Sequence, residues 1–338
     1  MMNKIAYLFG AGASRNALPI VNEIEGRLRE FIDVLKEDNL QLSDQLVFDD
    51  LEVKGLKSKQ HYQNQLINDL EWLLKESSRH ASVDTFARKL TIKNEFEKLK
   101  KLKICLSIFF VYEQTINAPD ERYDSFFAAI HNELSELPKN IQILSWNYDY
   151  QFELSYLEYS NSKDLTTMQT ILNVNHKFGN NHTRDKFGIY KLNGSIGLYS
   201  RGGWKQYQYV NTLNDPIDIV FVNQIVRKYT AALTIRDLHS NFSFSWENEA
   251  SNDSIVDLAI EATKDVIALV VIGYSFPFFN REIDRKIIGA MTNLKRVYFQ
   301  APDADILIER FQAIKDNTKQ IDLVPKKDLE QFVLPNEL

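Results

Sequence analysis

Residues 4–14 read Lys-Ile-Ala-Tyr-Leu-Phe-Gly-Ala-Gly-Ala-Ser. A continuous apolar run feeding a glycine-rich turn is the usual opening of a nucleotide-binding α/β unit, in which a buried parallel strand delivers the chain to a helix. The pattern recurs downstream. Apolar runs at residues 141–146, 187–192, 217–222, 266–272 and 296–300 read as strands. Residues 148–157, 253–263, 281–291 and 304–314 carry helical spacing between them. Strands alternating with helices predict a Rossmann-like α/β fold, a parallel sheet covered on both faces.

The signal changes between residues 22 and 137. Ile24, Leu28, Ile32 and Leu35 recur at spacings of three and four, as do Leu66, Leu70 and Leu73. Val83, Phe86 and Leu90 begin a third stripe, and Tyr123, Phe127, Ile130 and Leu134 form a fourth. Turn-like breaks fall at 49–59 and 117–119. The expected organisation is a Rossmann-like domain of residues 1–21 plus 138–338, with a large helical insertion at 22–137.

Composition narrows the function classes. Among 338 residues, 44% are hydrophobic and 12% aromatic, enough for a buried core and incompatible with a disordered chain. A net charge of -6 argues against global attraction to nucleic acid or an anionic membrane. No apolar run reaches 18 residues and no signal segment opens the sequence, so a cytoplasmic location is expected. Cys105 is the single cysteine, which excludes an internal disulfide and a four-cysteine zinc site.

Four small, polar turns follow predicted strands: Gly10-Ala11-Gly12-Ala13-Ser14, Ser145-Trp146-Asn147-Tyr148-Asp149, Lys191-Leu192-Asn193-Gly194-Ser195 and Gly273-Tyr274-Ser275, the last with Asp284 on the helix beyond. Glycine lets backbone approach a pyrophosphate. Asn147 can donate and accept at once, which suits ribose hydroxyls. Asp149 can accept from a carboxamide or stabilise a developing cation, or both residues can cap the following helix. Each turn alone is ordinary. Four of them at carboxyl ends of strands in one sheet would face one ligand crevice.

In this order the motifs resemble the silent-information-regulator (sirtuin-like) family. They look most like its bacterial branch, NAD+ hydrolases of antiphage defence. Ser82-Val-Asp-Thr-Phe86 is also similar to an acidic-aromatic segment of that family's helical region. The resemblance implies an NAD+ site with NAD+ as substrate and no metal. Gly10, Ala11, Gly12, Ala13 and Ser14 would cradle the pyrophosphate. Asn147 would orient the nicotinamide ribose, with Asp149 near the nicotinamide. Gly194 and Ser195 would adjoin that ribose, and Gly273, Ser275 and Asp284 would line the phosphates or the adenine ribose. Catalysis would fall to Asn147, Asn193 and Asp149. The implied activity releases nicotinamide and ADP-ribose, restrained by homo-oligomerisation or a separate sensor subunit.

Two departures bear on chemistry. The missing zinc cysteines disfavour the protein deacylation seen elsewhere in the family. Asn193 stands where the family's Leu-His-Gly motif has its catalytic histidine, and an amide cannot take up a proton near neutral pH. A site lacking its base, another base (His176, His182 or Asp149), or a reaction needing none are the alternatives. A regulatory module that binds NAD+ or ADP-ribose without turnover is the competing function. His176 and His182 flank Gly179-Asn180-Asn181 and read as solvated loop residues or as visitors to the site. His61, His80, His131 and His239 have no partners at metal-ligand spacing. Cys105 reads as inert core. The run Lys98, Lys100, Lys101 and Lys103 reads as a solvated helix face, with Phe96, Leu99, Leu102 and Leu106 as core or a partner contact.

Overall fold

The computed structural model describes residues 3–20, 22–44, 56–131, 136–162, 164–176, 186–200, 205–210, 213, 216–247 and 254–338. The strands are β1 (Ile5–Phe9), β2 (Ile141–Ser145), β3 (Val174–His176), β4 (Gly188–Lys191), β5 (Gly194–Ser200), β6 (Lys205–Tyr207), β7 (Leu238–Phe242), β8 (Ala268–Ile272), β9 (Arg296–Gln300) and β10 (Asp322–Lys326). The helices are α1 (Ile24–Leu35), α2 (Lys59–Ser77), α3 (Val83–Ile92), α4 (Phe96–Ile116), α5 (Glu121–Ile130), α6 (Gln151–Tyr156), α7 (Leu165–Ile171), α8 (Ile219–Thr234), α9 (Ile255–Thr263), α10 (Arg281–Ala290) and α11 (Ala304–Gln312).

Contacts divide the chain into two compact units. The first comprises Met1–Asn16, Pro119–Ser195 and Ser243–Leu338. Its seven-stranded sheet runs β10-β9-β8-β1-β2-β4-β3, every described pairing parallel. The fold is the expected Rossmann-like α/β sheet, with β1, β2 and β8 as central neighbours. The two-residue side-chain period sorts β1 between two cores. Ile5, Tyr7 and Phe9 join Tyr123, Phe126 and Phe127 of α5, Phe152 of α6 and Met168 of α7. Ala6 and Leu8 join Ile255 and Ala259 of α9, Ile283 and Ile287 of α10, and Leu307 and Phe311 of α11. Strands buried on both faces read as continuous apolar runs, which is why these were legible.

The second unit comprises Ala17–Ala118 and Ile196–Phe242, with α1 to α4, α8 and the sheet β6-β5-β7. The unit boundaries differ from the expected 22–137 at two places. Residues 119–131 fall in the first unit because Tyr123, Phe126, Phe127 and Ile130 cover a face of its sheet. Residues 196–242 fall in the second, where Tyr229 of α8 donates to the Asp69 carboxylate of α2 at 2.6 Å. The strand expected at 217–222 is the start of α8. Asp218 accepts from the amides of Val220 and Phe221, both at 2.9 Å, and caps a helix there. Leu99, Leu102 and Leu106 are core, whereas Phe96 is 60% exposed.

Candidate functional site

The strand ends are level. Phe9 pairs with Ser145 and Ile272, Ser145 with Lys191, and Ile272 with Gln300. Gly10, Trp146, Leu192 and Gly273 are therefore successive exits on one carboxyl edge, each amide donating to the neighbouring strand. From β1 the chain builds outward through β2 and β4 on one side, then returns to β8 on the other. The order reverses between β1 and β8, the topological switch point at which open α/β sheets hold ligands.

The two turns flanking that point touch through backbone. A Cβ on Gly10 would stand 2.7 Å from the Gly273 carbonyl oxygen, and one on Gly12 would stand 2.9 Å from Gly273 Cα. Gly273 has φ +58°, and a Cβ there would fall 2.2 Å from the Ala13 nitrogen. The glycines are required by turn-on-turn contact. Gly12 N–H donates to the Gly273 carbonyl at 2.9 Å and Ala13 N–H to Gly10 at 2.9 Å, so neither amide is available to cradle a pyrophosphate as expected. Ala11 and Arg15 are exposed on this turn and Ala13 is buried.

Ser14 lies at the centre of a buried polar chain. Its hydroxyl donates to Asp149 Oδ2 at 2.8 Å. A hydroxyl has one proton, so Ser14 Oγ accepts from Tyr123 at 2.8 Å and from Asn147 Nδ2 at 3.2 Å. Asn147 Nδ2 also donates to the Gly10 carbonyl at 3.0 Å. The donor half of the Asn147 amide is thus committed to the protein. Among the described residues nothing donates to its Oδ1, which leaves Asn147 an acceptor only.

Asp149 is 6% exposed. Its Oδ1 accepts from the Gln151 amide, the first of α6, at 3.2 Å, while its Oδ2 holds Ser14. Burial pushes its carboxyl up, against the nearby Lys191 charge and the Ser14 hydrogen bond. These bonds tie the turn after β1 to the start of α6. Beneath it, Lys191 Nζ donates to the Asp149 carbonyl and to Glu153 Oε1, the latter at 2.6 Å with both side chains buried. Lys191 opens the third turn read from the sequence but was given no role, and Glu153 was not singled out, because a lone lysine in an apolar run carries no pairing signal.

Asn193 donates from Nδ2 to the Trp146 carbonyl at 3.1 Å, and its own carbonyl accepts from the Ser243 amide at 2.8 Å. Its Oδ1 is buried without a hydrogen-bond partner among the described residues. Gly194 has φ +72°, the left-handed conformation that favours glycine, and Ser195 is buried. Ser275 is exposed, its carbonyl accepting from Arg310 at 2.7 Å. Asp284 is 2% exposed, with both carboxylate oxygens accepting from protein groups, Trp146 Nε1 and the Tyr274 hydroxyl. His176 is fully buried on β3, and burial first, then Lys191, pushes its imidazole down to about 3, so it is no base near neutral pH. His182 lies outside the described residues. Cys105 is buried, and burial pushes its thiol up. Lys98 and Lys101 pair with Glu95 and Asp69.

Among the described residues no group of three or more His, Cys, Asp or Glu could hold a metal ion, and no helix is long and apolar enough to cross a membrane. No protein-family model matches the sequence, and comparison with the curated proteins finds no match.

Proposed function

We propose that the carboxyl edge around β8, β1 and β2 binds NAD+ and that the protein hydrolyses its nicotinamide–ribose bond. The observation that carries this reading is the level set of turns around the switch point, with Asn147 Oδ1 and the buried Asn193 Oδ1, which has no partner among the described residues, on the turns after β2 and β4. Two amide oxygens able to accept suit the hydroxyls of a ribose. The exposed guanidinium of Arg15, one residue past Ser14, supplies a cation for phosphate.

The chemistry asks little of a base. The C1′–N bond breaks with its electron pair passing to the nicotinamide ring, which is neutralised as it leaves. The oxocarbenium-like ribose is captured by water, which then loses a proton to solvent. Holding the ribose and stabilising the cation supply most of the rate, and a general base adds on the order of 10²–10⁴-fold. With Asn193 in place of a histidine, hydrolysis is slow and binding persists. The resemblance to antiphage NAD+ hydrolases extends the proposal to an effector held silent by self-association or a separate subunit.

A second reading, a nucleotide-binding regulatory module without turnover, is favoured by one observation: Asn193, on the turn after β4, offers an amide that cannot take up a proton. Incubation with NAD+ and detection of nicotinamide decides between them, run beside Asn193→His. Release of nicotinamide by either form sustains the hydrolase. Tight binding with no release by both forms sustains the module, and no binding at millimolar NAD+ rejects both.

A further inference from the structure

Asp284 lies on α10 with no ion-pair partner among the described residues, although it is almost wholly buried. Its Oδ1 accepts from Trp146 Nε1 at 3.1 Å and its Oδ2 from the Tyr274 hydroxyl at 2.7 Å. Asn280 Nδ2 donates in turn to the Tyr274 oxygen at 3.0 Å. The Trp146 and Tyr274 rings lie 12° from parallel with centroids 6.1 Å apart. An unpaired acid is costly to bury, and packing alone would be served by an apolar side chain of similar volume.

The two donors have one thing in common. Trp146 immediately precedes Asn147 at the exit of β2, and Tyr274 immediately follows Gly273 at the exit of β8. These strands flank β1 on either side. One carboxylate therefore ties together the two turns that border the switch point. We infer that Asp284 is a positioning residue that sets the spacing of the β2 and β8 turns for a ligand spanning both, without touching that ligand. The inference rests on the NAD+ reading above and adds a selectivity to it. A dinucleotide, reaching from the Asn147 side to the Gly273 side, feels the tie. A mononucleotide seated on one turn does not.

The test is calorimetric titration of NAD+ and of AMP into the full chain and into Asp284→Asn, Trp146→Phe and Tyr274→Phe, with thermal unfolding of each. Both aromatic substitutions keep a ring and remove one hydrogen bond to Asp284, so they carry the test if Asp284→Asn does not fold. The expected result is NAD+ affinity weakened about tenfold or more, as for loss of a hydrogen bond to a charged group, with AMP affinity changed less than about threefold. Equal weakening of both ligands would make Asp284 a general structural residue and overturn the inference. So would unchanged NAD+ affinity in folded variants while the wild type binds. A wild type that binds neither ligand overturns the NAD+ reading, and the tie with it.

Discussion

Asn147 commits its amide nitrogen to Gly10 and Ser14 and presents its oxygen alone. Asn147→Ala should lower nicotinamide release at least about tenfold, the factor that a contact of about 1.4 kcal/mol supplies. It should also cost about 1 kcal/mol of stability, because the Gly10 carbonyl loses a donor. Full activity with a lowered urea midpoint would reduce the residue to a tie between turns. At Asn193 the forecast runs the other way. An imidazole can keep the donation to the Trp146 carbonyl with one nitrogen and offer the other as a base. Asn193→His should therefore raise the hydrolysis rate with little change in NAD+ affinity, and an unchanged rate would mean that proton transfer is not limiting. The residue types at both positions were legible from the sequence. That one amide would face inward through its nitrogen was not, since it depends on Ser14, 133 positions earlier.

Elements differ in what they demand of glycine. Gly273 leaves β8 at φ +58° against the Ala13 nitrogen, so Gly273→Ala should destabilise by on the order of 3 kcal/mol and weaken nucleotide binding with it. Gly26, inside α1, has open space where its Cβ would be, and Gly26→Ala should stabilise by about 0.5–1 kcal/mol. Urea denaturation of the two variants reads both. If Gly273→Ala melted like the wild type, the turn-on-turn contact would be wrong. The sequence patterns were informative element by element. β1, β2, β8 and β9 were found because two-sided burial demands unbroken apolar runs. β10 escaped notice because it is a partly exposed edge strand containing Pro325, where a missing amide is tolerated. Residues 217–222 were misread because a short apolar run fits either element, and the Asp218 cap was the overlooked signal.

Across the whole molecule, two buried groups set opposed pH slopes. Burial pushes Asp284 up from 3.8 to about 7. The fold resists its charge, so its stability contribution is full below 3.8 and lost as pH rises to about 7. His176 is pushed down from 6.5 to about 3, so its contribution is full above 6.5 and lost as pH falls toward 3. Asp284→Asn should therefore lose less stability than the wild type as pH rises between 3.8 and 7, and His176→Gln should lose less as pH falls between 6.5 and 3. Urea midpoints across that range measure both, and parallel curves for wild type and variants would refute the assignments. These slopes come from packing of residues far apart in the chain. Local composition and periodicity determined the Rossmann-like class, the central strands and the four turns, because strand burial and turn chemistry act over a few neighbouring residues. Only the tertiary structure decided that residues 119–131 cover the parallel sheet, that 196–242 pack with α2 and α4, that Asp149 accepts from Ser14, and that Asp284 accepts from Trp146 and Tyr274. Which side of a polar group is left over depends on partners that no local window of sequence contains.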